Sequence, residues 1–213
     1  MAHTPFDIIK EVVEGLREVG YITAVNPSGA NYVYTAANTL NAFDYIKIGS
    51  NEDLIVLEAT PTTFILDTEV TGETEYTANA PYFMHEKIIK AANRLTEKDN
   101  QSTYKWQKYP LVLFVHPYEE FDNRNSDIKE YDFEIYVLNC TKPEYYSDER
   151  YENNFDTIIN PICEGIKNGM LNHCYVFSTI LNQKITDLLH IDKNPFPDYL
   201  DGKRIQFTKT EIL

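Results

Sequence analysis

Phe6, Ile9, Val13 and Leu16 recur at spacings of three and four, with Ile8 and Val12 beside them, the spacing of one face of a helix. Thr4 can cap its start, Pro5 suits the first helical position and Asp7 sits in the first turn. With Gly20 as the stop, a helix is expected over residues 5–19. From Tyr21 to Thr77 the pattern changes to short β-rich runs at 31–35, 45–48, 54–59 and 63–70. Turn signals separate them: Asn26-Pro27-Ser28-Gly29, Gly49-Ser50-Asn51 and Thr60-Pro61. Strands this short and close predict a compact meander or a small barrel, ended by Thr71-Gly72-Glu73-Thr74. Helical spacing returns over residues 81–97, where Phe83, Ile88, Ala92 and Leu95 line one side. Lys98 to Lys108 reads as a polar connector.

Tyr109-Pro110-Leu111-Val112-Leu113-Phe114-Val115 is a continuous apolar run, the pattern of a strand buried on both faces. Glu119 to Asp127 reads as a polar loop. Lys129 to Leu138 then alternates, with Tyr131, Phe133, Ile135 and Val137 on one face and Asp132 and Glu134 on the other. Ser147 can cap the next helix, whose apolar positions run from Tyr151 through Phe155, Ile158, Ile162 and Ile166 to Met170. Pro161 inside it removes a backbone donor and predicts a kink. In the tail, residues 174–179 suit a strand, 186–189 a short helical turn, 194–197 a loop and 204–208 a last strand. The expected fold is α+β: an antiparallel sheet flanked by helices, formed by residues 1–20 and 78–213, with a β-rich insertion over 21–77 after the first helix.

Composition narrows the function. The chain of 213 residues is 43% hydrophobic, enough for a real core, and carries a net charge of -14. Sequence-independent binding of duplex DNA requires Lys and Arg to displace counterions. An acidic chain does not supply them, although DNA can pass a wall of like charge without sticking. Sixteen Tyr and eleven Phe are at home in strands, and aromatic residues are also enriched where surfaces meet. Cys140, Cys163 and Cys174 form neither a disulfide framework nor a zinc pair, and suit a reducing compartment. No apolar run reaches the ~18 residues of a membrane span, and no secretion signal is expected.

Candidate chemistry is sparse. His3, His85, His116, His173 and His190 show no metal-ligand spacing. There is no phosphate-binding glycine loop and no nucleophile elbow. Asp53 with Glu58, and Asp132 with Glu134, are the acidic pairs on or beside strands that a metal nuclease would need, but Thr60 and Tyr136 stand where an activating Lys is wanted. No catalytic, cofactor-binding or metal-binding residue is assigned, and no cofactor is expected.

Three quoted stretches belong together: Lys108-Tyr109-Pro110 leading the buried strand, the alternating strand Tyr131 to Leu138, and Glu149-Arg150-Tyr151 followed by Phe155-Asp156-Thr157-Ile158-Ile159-Asn160-Pro161-Ile162. This layout resembles tail-terminator, or tail-completion, proteins of phages and prophages of Bacteroidetes-type hosts, over roughly a third of the chain. The resemblance implies an α+β ring subunit, hexameric or dodecameric, that caps the tail tube or sits next to the portal. It would be part of the virion, made in the host cytoplasm, with portal, neck and tail proteins as partners and DNA passing through the lumen without specific binding. Within such a ring, Glu119, Glu120, Asp122 and Asp127 form an acidic loop that could face the lumen. The β-rich segment departs from a minimal terminator. The alternatives from other classes are a small metal-dependent nuclease and a soluble adaptor that binds a partner through residues 21–77.

Overall fold

The computed structural model describes residues 5–40, 44–101, 108–115, 120–122, 128–141, 144–172, 180–191, 196 and 198–212. It divides into two compact units, one made of the chain up to Gly15, Tyr82–Gln101 and Pro110 onward, the other of Leu16–Pro81 with Lys108 and Tyr109.

The first unit opens with α1 (Pro5–Glu14). It is shorter than the spacing predicts, because the chain leaves the helix at Gly15, whose N–H reaches the carbonyls of Glu11 and Val12 at 3.1 Å each. Ile8, Ile9 and Val13 are buried, as the apolar stripe requires.

In the second unit, β1 (Val19–Tyr21), β8 (Glu75–Ala78), β4 (Tyr45–Ile48) and β5 (Asn51–Ile55) form one antiparallel sheet, in that order. β2 (Ala24–Ser28), β3 (Asn31–Thr35), β7 (Thr63–Leu66) and β6 (Glu58–Thr60) form another. The expected run 54–59 is split between the two: Val56 N–H bonds to Asp44 O at 3.0 Å, and Leu57 N–H to Ile65 O at 2.8 Å. These are two open sheets, not a closed barrel. Gly20 lies in mid-strand rather than at a helix stop. It faces the Tyr76 ring so closely that a Cβ would come within 2.3 Å of it.

The core of this unit includes Tyr34, Ile46, Ile48, Val56, Phe64, Leu66 and Tyr76. Tyr34 and Phe64 stack at 5.1 Å, and Tyr76 meets Phe64 edge-on at 5.2 Å. Two buried hydroxyls are satisfied. Tyr34 Oη donates to Thr68 O at 2.9 Å and accepts from Val70 N–H at 2.7 Å. Tyr76 Oη donates to Glu18 Oε1 at 2.7 Å, and the same carboxylate binds the hydroxyl of Thr39. Tyr34→Phe is therefore expected to cost about 1–3 kcal/mol, since it leaves a buried N–H without its acceptor. Urea denaturation would show this as a lower midpoint at unchanged slope.

The first unit is built on a six-stranded sheet in the order β13 (Ile180–Ile191), β14 (Leu200–Ile212), β12 (Ile128–Cys140), β10 (Leu111–Val115) and β9 (Tyr82–His85), with β11 (Glu120–Asp122) also paired to β12. All pairs are antiparallel except β9 with β10. Residues 82–85, expected in a helix, are thus a strand, and α2 (Ile88–Gln101) is the crossover that parallel pairing demands. Every residue of β10 is buried, and α2 packs against it through buried Ala91, Ala92 and Leu95. Phe6, His85, Phe114, Phe133 and Phe207 form an aromatic ladder across α1, β9, β10, β12 and β14, with successive centroids 4.6 to 5.6 Å apart.

The long helix begins as α3 (Ser147–Arg150), widens into a π-helical stretch at Tyr151–Ile159 and ends as α4 (Asn160–Asn172). Tyr146, not Ser147, is its N-cap, and Glu149 reaches back to the Tyr146 N–H at 2.9 Å. The irregularity expected at Pro161 lies upstream, in the π stretch. It closes where Asn160 N–H bonds to Phe155 O, one residue before the proline that cannot donate. Residues 186–189, expected as a helical turn, belong to β13. The strand expected at 174–179 lies outside the described residues. Among the described residues, no helix is long and apolar enough to cross a membrane.

Candidate functional site

The end of β12 and the start of the long helix, which carries Glu149-Arg150-Tyr151, meet at one end of the main sheet. β12 and β14 are antiparallel and in continuous register from Ile128 with Ile212 to Cys140 with Leu200, which sets Asn139 directly opposite Asp201. β14 can approach closely here because residue 202 is glycine: a Cβ there would stand 2.5 Å from the backbone oxygen of Val137. The helix lies over this end, and Arg150 and Asn154, one turn apart, both reach Asp201.

The result is a buried polar network. Arg150 Nη1 donates to Asp201 Oδ1 at 2.9 Å, and its Nε donates to Tyr145 O at 3.0 Å. Asn154 Nδ2 donates to Asp201 Oδ2 and to Cys140 O, both at 3.2 Å, while its Oδ1 accepts from Asn139 Nδ2 at 2.6 Å. Arg150 is 1% exposed and Asp201 and Asn139 are 0% exposed. A charge this deep is tolerated only when paired and hydrogen-bonded, and here both carboxylate oxygens are engaged. This network joins the helix to both β12 and β14. It fixes the helix to the sheet in one position.

A second cluster lies on the other face of the same two strands, where Glu134 is opposite Gln206 and Tyr136 opposite Arg204. Glu134 accepts from Tyr136 Oη at 2.8 Å and from Gln206 Nε2 at 2.6 Å, with Arg204 Nη1 at 3.8 Å. Burial, and then the hydrogen bond to the Glu134 carboxylate, push the Tyr136 phenol up to about 12. A phenol whose proton is held more tightly in the folded chain contributes stability that is whole below about pH 10 and is lost as pH rises through about 12. Glu134→Gln is expected to lower the Tyr136 midpoint part of the way toward 10, since burial remains. The ring-carbon NMR titration of Tyr136 would show it.

Asp53 and Glu58 stand in different sheets, on β5 and β6, and Asp53 adopts the left-handed backbone at φ 56°, which non-glycine residues seldom take. The oxygens of Glu134 are bonded to Tyr136 and Gln206. Among the described residues, no group of three or more His, Cys, Asp or Glu is placed to hold a metal ion.

Of the acidic residues expected in a lumen-facing loop, Glu120 and Asp122 lie in β11, opposite Tyr131 and Lys129 of β12. For these two the loop is replaced by a strand, because the chain pairs with the free edge of β12 beyond the end of β10. Glu119 and Asp127 lie outside the described residues, as do His3, His116, His173 and Cys174. His85 lies between the rings of Phe6 and Phe114, tilted against both. Cys163 is buried and Cys140 exposed.

The sequence reading misses Asn139, Asn154 and Asp201 and gives Arg150 no role. The usable signal was an Asn at the end of an otherwise apolar strand face, in line with Phe133, Ile135 and Val137. No protein-family model matches the chain, and no curated protein is similar to it.

Proposed function

We propose that this protein is a structural subunit of a ring in a tailed-phage particle, at the neck or the head-proximal end of the tail, with DNA passing through the ring. The reading rests on the likeness to tail-terminator proteins. The observation that carries it is the anchoring of the Glu149-Arg150-Tyr151 segment: its arginine is the buried cation that ties the long helix to Asp201 on the sheet. A net charge of -14 suits a wall past which phosphates must slide.

Native mass spectrometry of the purified chain, with imaging of particles, tests the reading. The expected result is a discrete hexamer or dodecamer, alone or on its virion neighbours. A monomer found only outside the particle would sink it.

A second reading, a partner-binding adaptor, draws on β1, an edge strand that exposes Val19 and Tyr21 by 52% and 66%. If deletion of residues 21–77 abolishes partner capture and leaves ring assembly intact, the β-rich segment is a docking module.

A further inference from the structure

The two sheets of the β-rich unit end in β1 and β5, and in β2 and β6. Three of these edges carry features that deter a further strand. β2 holds Pro27, β6 opens with Glu58, and β5 breaks its register around Asp53, whose φ is 56°. β1, Val19-Gly20-Tyr21, has no proline, no charge and no left-handed residue. Beside it, Ala78 N–H bonds to Glu18 O at 2.8 Å, and Ile22 N–H bonds to Thr74 O at 2.9 Å. Hydrogen-bonded positions alternate along an antiparallel pair, so the main-chain groups of Val19 and Tyr21 point away from β8. Among the described residues, nothing takes up those groups. The side chains of Val19 and Tyr21 are exposed, while Gly20 between them is buried against the Tyr76 ring.

We infer that β1 pairs, antiparallel, with β1 of a second copy of the chain, about a two-fold axis through Gly20. Val19 then stands opposite Tyr21 of the second copy, and the axis repeats the pair. Both are outward-bonding positions, so each pair exchanges two main-chain hydrogen bonds. A β-branched residue beside an aromatic is also a favourable cross-strand pair. The edge is thus its own complement. Sliding by two residues one way sets Val19 opposite Thr23, whose N–H already bonds to Thr35 O at 2.8 Å. Sliding the other way sets Tyr21 opposite Arg17, outside the strand. The strand carries no charge, so the copies meet where a chain of net charge -14 repels itself least. A two-fold contact is isologous and closes no ring by itself. It stands independently of the ring reading and takes the edge that the adaptor reading gives to another protein.

The test mixes full-length Val19→Cys chains with full-length Tyr21→Cys chains in a glutathione redox buffer and maps disulfides by peptide mass. In the inferred register, opposite Cα atoms lie about 5.5 Å apart, within disulfide reach. Like positions are diagonal, at about 7–8 Å, and beyond it. The expected product is a 19–21 link in the mixture, about tenfold above any link at the new cysteine of either variant alone. Sedimentation at up to about 1 mM chain should show Val19→Glu weakening self-association about tenfold. Val19→Glu with Tyr21→Lys should restore it, circular dichroism confirming that each variant folds. Absence of the 19–21 link overturns the inference, and so does a second substitution that restores nothing. Self-association that Val19→Glu leaves unchanged overturns it too, even where another protein docks at this edge. Rings without the link would refute this contact alone. Linked dimers that never form rings would refute the ring reading alone.

Discussion

Replacing Arg150 with Met is expected to remove about 3–5 kcal/mol of unfolding free energy, because it strands a charged partner in the interior. Asp201 is 0% exposed and would keep only the Asn154 amide as a donor among the contacts described above. Domains of this kind are stable by about 5–15 kcal/mol, so one side chain would take a large share of the total. Arg150→Met combined with Asp201→Leu should recover most of the loss, since no buried charge remains and the packing volume is kept. Urea denaturation of the single and double variants separates the two effects. A single variant within 1 kcal/mol of the parent would mean that water reaches Asp201, contrary to its burial.

Phe64→Ala is expected to cost the β-rich unit about 3–5 kcal/mol through lost transfer energy and a residual cavity. Phe64 is 0% exposed and holds together Tyr34 on one ring face and Tyr76 on its edge. A core this small rarely supplies more than about 3–5 kcal/mol in total, so the unit should be largely unfolded. Hydrogen exchange measured by peptide would then lose protection across β3, β4, β7 and β8 together. Phe64→Leu, which keeps most of the volume, should lose far less. Loss confined to β7 would show that the two sheets do not share one cooperative core.

The contrast between legible and illegible elements follows from what each depends on. β10 was readable because every position from Leu111 to Val115 is apolar, and β12 because Phe133, Ile135 and Val137 alternate with polar residues. β4 was read to the residue, since Tyr45 to Ile48 ends at Gly49. β9 was misread because Phe83, Ile88, Ala92 and Leu95 happen to keep helical spacing across a strand and the helix after it. β2 contains Pro27, which marks a turn in isolation and is tolerated here on an edge strand. β13 carries Asn182, Gln183, Lys184, Thr186 and Asp187 and has no alternation to betray it. The Arg150 network is harder still. Its partner Asp201 lies 51 positions away, and only the register of β12 with β14 decides which side chains meet.

The pairing of β1 with β8 also bears on the order in which the chain folds. Val19 stands beside Thr77, and Ala78 N–H bonds to Glu18 O at 2.8 Å. Once the β-rich unit has formed, the long excursion between α1 and β9 is already drawn together at its base. Closing an unstructured loop of that length would cost about 3–4 kcal/mol in chain entropy, and early folding of the excursion would relieve the main sheet of most of it. On the ribosome, α1 emerges before β9, β10 and the long helix and must wait for them. All the strands of the β-rich unit are complete as soon as Ala78 has cleared the exit, so they can serve as the clasp that keeps the waiting helix close to the strands it will join.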